Sequence, residues 1–361
     1  MRTLVIIGVL LVAGLLAGAA FSPGFEQAVF THVARERLSH DNTALLKDDA
    51  LRVAVCGTSA PLPSKARAKA CVAVIAGGKI YIVDAGPESV ENLLLWNLPL
   101  ERVDGVLLTH FHSDHIGDLG ELNLQTWAAG RPRPLAVYGG PGVETVVAGF
   151  NEAYRLDQGY RTAHHGAAMM PPAAWPLVPH PVPLQGPVEG KARTATVLDD
   201  GRLKITAIEL AHGPVTPAYA YRFDYRGRSV VVTGDTSAHK PLAVAAKGAD
   251  VMVAEALNRP MIRTLEDAAR DTGRGRVAKI MHDIQDYHAS PAEMAGLANE
   301  AGVKLLVLYH LLPAPDNPLA RRLFARDMNQ ARDGDWTMAQ DGSLYTLPIG
   351  SQDVRQGRVK E

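Results

Sequence analysis

Cysteine is nearly missing from this chain of 361 residues: there are two, Cys56 and Cys71. Their separation matches neither a zinc-binding nor a redox cysteine motif. Each falls on an expected strand, over 51–56 and 70–76, with the turn Ala60-Pro61-Leu62-Pro63 between them. Both a disulfide across that hairpin, which an oxidising compartment would favour, and two small buried thiols fit the pattern. An excess of either charge is also lacking, with Lys and Arg at 37 against 38 Asp and Glu. The cations are scattered, which argues against an extended nucleic-acid surface, because such a footprint needs a basic stripe to displace counterions. Low-complexity tracts, coiled-coil heptads and internal repeats of about 20 to 50 residues are missing too, which removes fibrous and solenoid architectures.

What is present begins with an apolar start. Arg2 is the only charge before an apolar run over 4–21 that ends in Ala17-Gly18-Ala19-Ala20. A positive start, an apolar middle and a small-residue end describe an export signal. The run is also long enough to span a bilayer if it is not cut, so a cleaved signal peptide and a retained membrane anchor both stay open. On this reading the protein is exported, periplasmic or anchored facing the exterior, with residues 4–21 touching the membrane if uncleaved. Residues 22–48 carry apolar positions at helical spacing among many charges and read as a helical surface segment. Residues 49–349 read as one α/β catalytic domain, and 350–361 as a polar tail.

Within that domain β-rich runs alternate with helical ones. Strands are expected over 51–56, 70–76, 79–83, 103–108, 203–210, 218–224, 229–233, 251–255 and 304–308. Helices are expected over 91–97 and 143–154. Tyr225-Arg226-Gly227-Arg228 reads as a hairpin turn, and the proline-bearing stretch 169–187 as a surface loop without regular structure.

The densest chemistry follows the apolar run Val106-Leu107-Leu108, in Thr109-His110-Phe111-His112-Ser113-Asp114-His115. Alternate residues of an extended segment share a face, so His110 and His112 reach one point together, while Asp114 and His115 turn toward a second. Imidazoles with a carboxylate are ligand chemistry for Zn²⁺ or a similar divalent ion. Other strands also finish in such residues: 204–210 runs into His212, 229–233 into Asp235 and 304–309 into His310. Sites form where strands end, because loops there are free of packing duty while the strands fix their bases. The set divides into His110, His112 and His212 for one ion, and Asp114, His115 and His310 for another, with Asp235 bridging.

This pattern resembles the metallo-β-lactamase superfamily over roughly residues 50 to 349. The resemblance implies an αβ/βα four-layer sandwich with a dinuclear site along one edge. It also implies that Asp84, in Asp84-Ala85-Gly86-Pro87, orients the ligand loop from behind. Within the superfamily the motif order is similar to the ribonuclease Z and arylsulfatase branch. His288 supports this, standing before Ser290-Pro291-Ala292-Glu293, a Ser N-cap with Pro in the first turn and Glu at the capping-box position. In that branch the equivalent His acts on the scissile group, so His288 and Asp114 are the expected catalytic groups.

Departures set the substrate expectation. Ribonuclease Z enzymes carry a long basic arm between the third-motif His and the bridging Asp, whereas His212 to Asp235 leaves room only for a tight hairpin. tRNA maturation is therefore disfavoured, as are penicillin hydrolysis, where Cys often stands in place of Asp235, and the glyoxalase II group with its helical C-terminal domain. The resulting expectation is an exported hydrolase of phosphate or sulfate esters, using a hydroxide that bridges two Zn ions, with Mn or Fe as alternatives. Its partner would be a small-molecule ester. A lactonase or carboxylic-ester hydrolase is the alternative, followed by a ribonuclease Z-type nuclease or a metal-binding protein without turnover. His164 and His165 with the proline-bearing loop wall the pocket or form a solvated turn, and His282 is expected to be structural. The sequence indicates no oligomeric state.

Overall fold

A computed structural model of the chain describes residues 22–184 and 192–360. The expected signal or anchor over 1–21 lies outside the described residues. The chain divides into two units, Met1–Asp41 with Glu361, and Asn42–Lys360. In the first, the described part is a helix over Pro23–Ser39, started by the Ser22 side chain accepting from the Phe25 N–H and by Pro at its first turn, with no buried residue.

Among the described residues the second unit carries fifteen strands: β1 (Ala50–Gly57), β2 (Cys71–Ala76), β3 (Lys79–Val83), β4 (Val103–Leu107), β5 (Leu135–Gly139), β6 (Leu177–Pro181), β7 (Thr194–Asp199), β8 (Leu203–His212), β9 (Val215–Tyr225), β10 (Arg228–Val232), β11 (Val251–Leu257), β12 (Leu305–Leu312), β13 (Asp335–Met338), β14 (Ser343–Pro348) and β15 (Arg355–Arg358). They form one sheet in the order β15-β14-β1-β2-β3-β4-β5-β6 and another in the order β13-β12-β11-β10-β9-β8-β7. The period of two along each strand makes the layers. Leu51, Val53 and Val55 of β1 point into a core shared with Ile205, Phe223, Val253 and Val307 of the other sheet. Ala54 and Cys56 point outward, where Val90, Leu93, Leu119 and Val143 of covering helices meet them. Met252 and Leu306 of the second sheet face helices through Leu242, Met294 and Leu297. β1, β2 and β12 are buried along their whole length, as expected of strands covered on both faces. The result is the expected αβ/βα sandwich.

Three local expectations need comment. Cys56 and Cys71 are joined by a disulfide across the β1–β2 pair, with their Cα atoms 5.0 Å apart. The stretch 169–187 is not wholly irregular, because Leu177–Pro181 forms β6, parallel to β5. Its prolines are tolerated because β6 is the outermost strand of its sheet and needs no ladder on its far side. Within 350–361, Arg355–Arg358 pairs with β14 as a further edge strand.

β3, β4, β5 and β6 run parallel, as do β10, β11, β12 and β13. The C-terminal ends of β3, β4, β10 and β12 carry Asp84, the 109–115 stretch, Asp235 and His310, while His212 closes the antiparallel β8.

Candidate metal centre

The chain leaves β3 through Asp84, which adopts a left-handed backbone (φ 58°). This turns its carboxylate onto the loop after β4, where it accepts from the Thr109 N–H at 2.8 Å and from the Thr109 hydroxyl at 2.8 Å. It also meets His115 Nδ1 at 2.7 Å. With Nδ1 engaged, His115 presents Nε2 inward, 3.4 Å from Asp235 and 3.6 Å from Asp114. A single helical turn over Ser113–Ile116 swings Asp114 and His115 away from the face used by His110 and His112. His110 Nε2 and His112 Nδ1 lie 2.9 Å apart.

His212 closes β8, and its Nδ1 lies 3.1 Å from the Tyr287 carbonyl, which leaves Nε2 pointing inward. Asp235 comes into reach because Gly234 precedes it. A Cβ there would stand 2.6 Å from Thr109 Cβ and 2.8 Å from the Tyr219 carbonyl oxygen, so only glycine lets the two loops approach this closely. His310 arrives by a different device. Glu255 pairs with Tyr309 and Ala256 with Leu311, so His310 is the extra residue of a β-bulge, with φ 43°. The bulge aims its ring at the cluster, 3.2 Å from Asp114 and 3.3 Å from Asp235.

Asp235 is the meeting point. His110 and His212 approach one of its oxygens at 3.8 Å and 3.8 Å, while His310 approaches the other. Three groups of potential ligand atoms result, each within 4.8 Å: His110, His112, His212 and Asp235; Asp114, His115 and His310; and Asp235, Glu255, His288 and His310. Four buried atoms here have no hydrogen-bond partner: His115 Nε2, His212 Nε2, Asp235 Oδ1 and His310 Nδ1. Buried polar atoms are ordinarily paired, so four orphans gathered around Asp235 fit a divalent cation.

The electrostatics differ across the donor set: burial would lower the His115 imidazole, but Asp235, Asp84 and Asp114 hold it well above its usual range. Burial holds His110 well below the usual imidazole range and pushes His212 down to about 4, so both offer neutral nitrogens. Burial would raise the Asp235 carboxyl, but the His310 and His115 rings hold it well below its usual value.

Sequence reasoning missed Glu255. It is completely buried on β11, takes the Thr236 N–H at 2.6 Å with one oxygen, and faces His288 Nδ1 at 2.9 Å with the other. A signal existed, since an acid inside the apolar run Val251-Met252-Val253-Ala254-Glu255-Ala256-Leu257 must have a partner. Burial would lower the His288 imidazole, but Glu255 overrides it and lifts the group to about 8. His288 itself stands before the helix Pro291–Ala301, whose start is a full capping box of Ser290 and Glu293. The pair His164 and His165 ends the helix Arg155–His165, exposed, with each ring against the other. The stretch after it packs Met170, Ala174 and Trp175 on Trp127. His282 is exposed and pairs with Glu266 at 3.3 Å.

Fold and site together define a metal-binding hydrolase scaffold built on paired sheets. Residues 65–299 match the metallo-beta-lactamase superfamily, and the chain belongs to that superfamily. Ribonuclease Z of Mycolicibacterium paratuberculosis is 33% identical over 267 residues, covering 73% of this chain and 87% of that protein. Ribonuclease Z of Mycobacterium bovis is 33% identical over 268 residues, covering 73% and 87%. Among solved structures, a metallo-beta-lactamase fold protein of Bacillus subtilis shares the fold with TM-score 0.57 and 21% identity, over 82% of this chain and 99% of that one. The short form of human tRNase Z does so with TM-score 0.57 and 20% identity, over 82% and 100%.

These relatives overturn three expectations. An exported hydrolase of phosphate or sulfate esters, acting on a small-molecule ester without a nucleic-acid surface, does not stand against relatives that are ribonucleases. The even charge and the short hairpin bear on how a substrate is gripped and do not name the bond that is cut. Export is withdrawn with it: it rested on the composition of 1–21 alone, and nothing in the kinship supports it. No helix among the described residues is long and apolar enough to cross a membrane.

Proposed function

We propose that this protein is a metal-dependent nuclease that hydrolyses phosphodiester bonds in RNA. The observation that carries the reading is the meeting of two ligand sets at Asp235 around four orphaned atoms, in a chain akin to ribonuclease Z. His110, His112 and His212 would hold one ion and Asp114, His115 and His310 the other, with Asp235 between them and Asp84 fixing His115. Imidazole and carboxylate donors suit Zn²⁺, with Mn or Fe admitted by availability. Such ions supply an acidified water and positive charge against a phosphoryl group.

The chain's own part is to place charge and a proton. His288 keeps Nδ1 on Glu255, which leaves Nε2 for the substrate. Lifted to about 8, the ring is a cation near neutral pH. It can therefore donate to a phosphoryl oxygen or to the departing hydroxyl. Between His212 and Asp235 the chain is taken up by β9 and β10, so RNA is held without an arm at that place.

The test uses metal-loaded full-length protein with single-stranded RNA, a tRNA precursor, an aryl sulfate and a lactone. RNA cleavage is expected, and His288→Ala should keep the metal content while lowering turnover on the order of 100-fold. Intact RNA beside rapid turnover of either small ester overturns the reading.

A further inference from the structure

Tyr287 is held in place more firmly than its exposure requires. It stands beside His288 in the loop between the helices Gly275–Asp283 and Pro291–Ala301. Its carbonyl engages His212 Nδ1 at 3.1 Å. Its ring meets His212 edge-on, with centroids 5.0 Å apart at 79°, and lies 4.9 Å from the His288 ring at 43°. A third support comes from the turn after β8. A Cβ at Gly213 would stand 3.0 Å from Tyr287 Cβ and 3.4 Å from Cγ and Cδ1, so bare glycine backbone (φ 53°) lies against the side chain.

Despite these supports the side chain is only half-buried, and its hydroxyl has no protein partner among the described residues. An aromatic ring braced by two imidazoles and a glycine backbone, with part of its face open beside the site, is a platform.

We propose that Tyr287 seats a nucleobase flanking the scissile phosphodiester, stacked on the open part of its ring. The inference rests on the RNA reading above and names how that RNA is held. Bases splayed from single strands are commonly taken up on aromatic side chains, and because every base has a π-face the contact tolerates any sequence. The balance of 37 cations against 38 anions makes this contact matter, since a chain without a basic excess gains little from phosphate attraction.

Inhibition separates this inference from its parent reading. Metal-loaded full-length protein hydrolyses methyl p-nitrophenyl phosphate in the presence of a short single-stranded RNA, or of the same ribose-phosphate chain without bases, and Ki is measured for each. Tyr287→Ala is expected to raise Ki for the RNA about tenfold and to leave Ki for the base-free chain as it was. Tyr287→Phe and Tyr287→Trp should hold the RNA as the native protein does. A shift of both inhibitors together would make the ring a prop for His212 and His288, and no shift in either would remove it from binding. Both results overturn the inference while leaving RNA as the substrate. Failure of RNA to inhibit the native protein at all overturns the RNA reading, and this inference with it.

Discussion

At the N-terminal ends of β10, β11 and β12, Arg228, Asp250 and Lys304 form a network in which each charge is met. Arg228 reaches Asp250 at 3.1 Å and the carbonyls of Pro348 and Asp353 at 2.9 Å each. Asp250 also accepts from the Ser229 N–H at 2.9 Å and from Lys304 at 2.7 Å. The C-terminal ends of the same strands deliver Asp235, Glu255 and His310 into a cluster with orphaned atoms. Burial does not separate the two ends, for Arg228 and Asp235 are each 2% exposed. Satisfaction does. An unmet buried polar group costs about 1–3 kcal/mol, so one end is complete in itself and the other is completed from outside.

The comparison breaks most heavily at Asp235. Asp235→Ala is expected to release metal from both halves of the centre and to lower RNA cleavage on the order of 10³-fold. His110→Ala should lose at least one ion per chain. Metal analysis of folded protein checks both, and retention of two ions in Asp235→Ala would mean that the orphaned atoms serve something else. The opposite end should respond in stability instead. Arg228→Ala leaves the carbonyls of Pro348 and Asp353 unmet and Asp250 with only Lys304 and the Ser229 N–H, and should cost about 1–3 kcal/mol, read from urea unfolding. Metal bound per folded chain should stay as it was, and a loss of metal there would show that the two ends are not independent.

The two ends also differ in how far the sequence discloses them. His110, His112, Asp114 and His115 are legible because a short stretch of backbone alone brings them together. His212, Asp235 and His310 are legible because each follows an apolar run whose end can be located. Glu255 was passed over because it lies inside such a run, and only the fold shows that His288 comes back to meet it. β6 was hidden by prolines that only an outermost strand accommodates, and sheet order is not a local property. Nothing local joins Arg228 to Asp250 and Lys304 either, since three separate strand starts must first lie side by side. The substrate was misjudged for a related reason: a missing arm describes a grip, while the bond to be cut is a matter of the site.

The smallest effect offers the sharpest separation of the two ends, and it is a pH dependence. Burial would raise the Asp250 carboxyl, but Lys304, the Ser229 N–H and Arg228 hold it below its usual value of 3.8. A carboxyl lowered by folding stabilises the native state fully above its unfolded value, and that contribution is lost as pH falls through the folded value. The margin of the native protein over Asp250→Asn should therefore be flat from neutral pH down to about 5 and shrink below about 4. Urea midpoints of the two proteins, compared at each pH, measure it. The same descent also protonates groups around Asp235, but both proteins share that centre, so the difference between them isolates the far end. A margin that stays constant to low pH would mean that Arg228 is held by the carbonyls of Pro348 and Asp353, with the carboxylate charge contributing little.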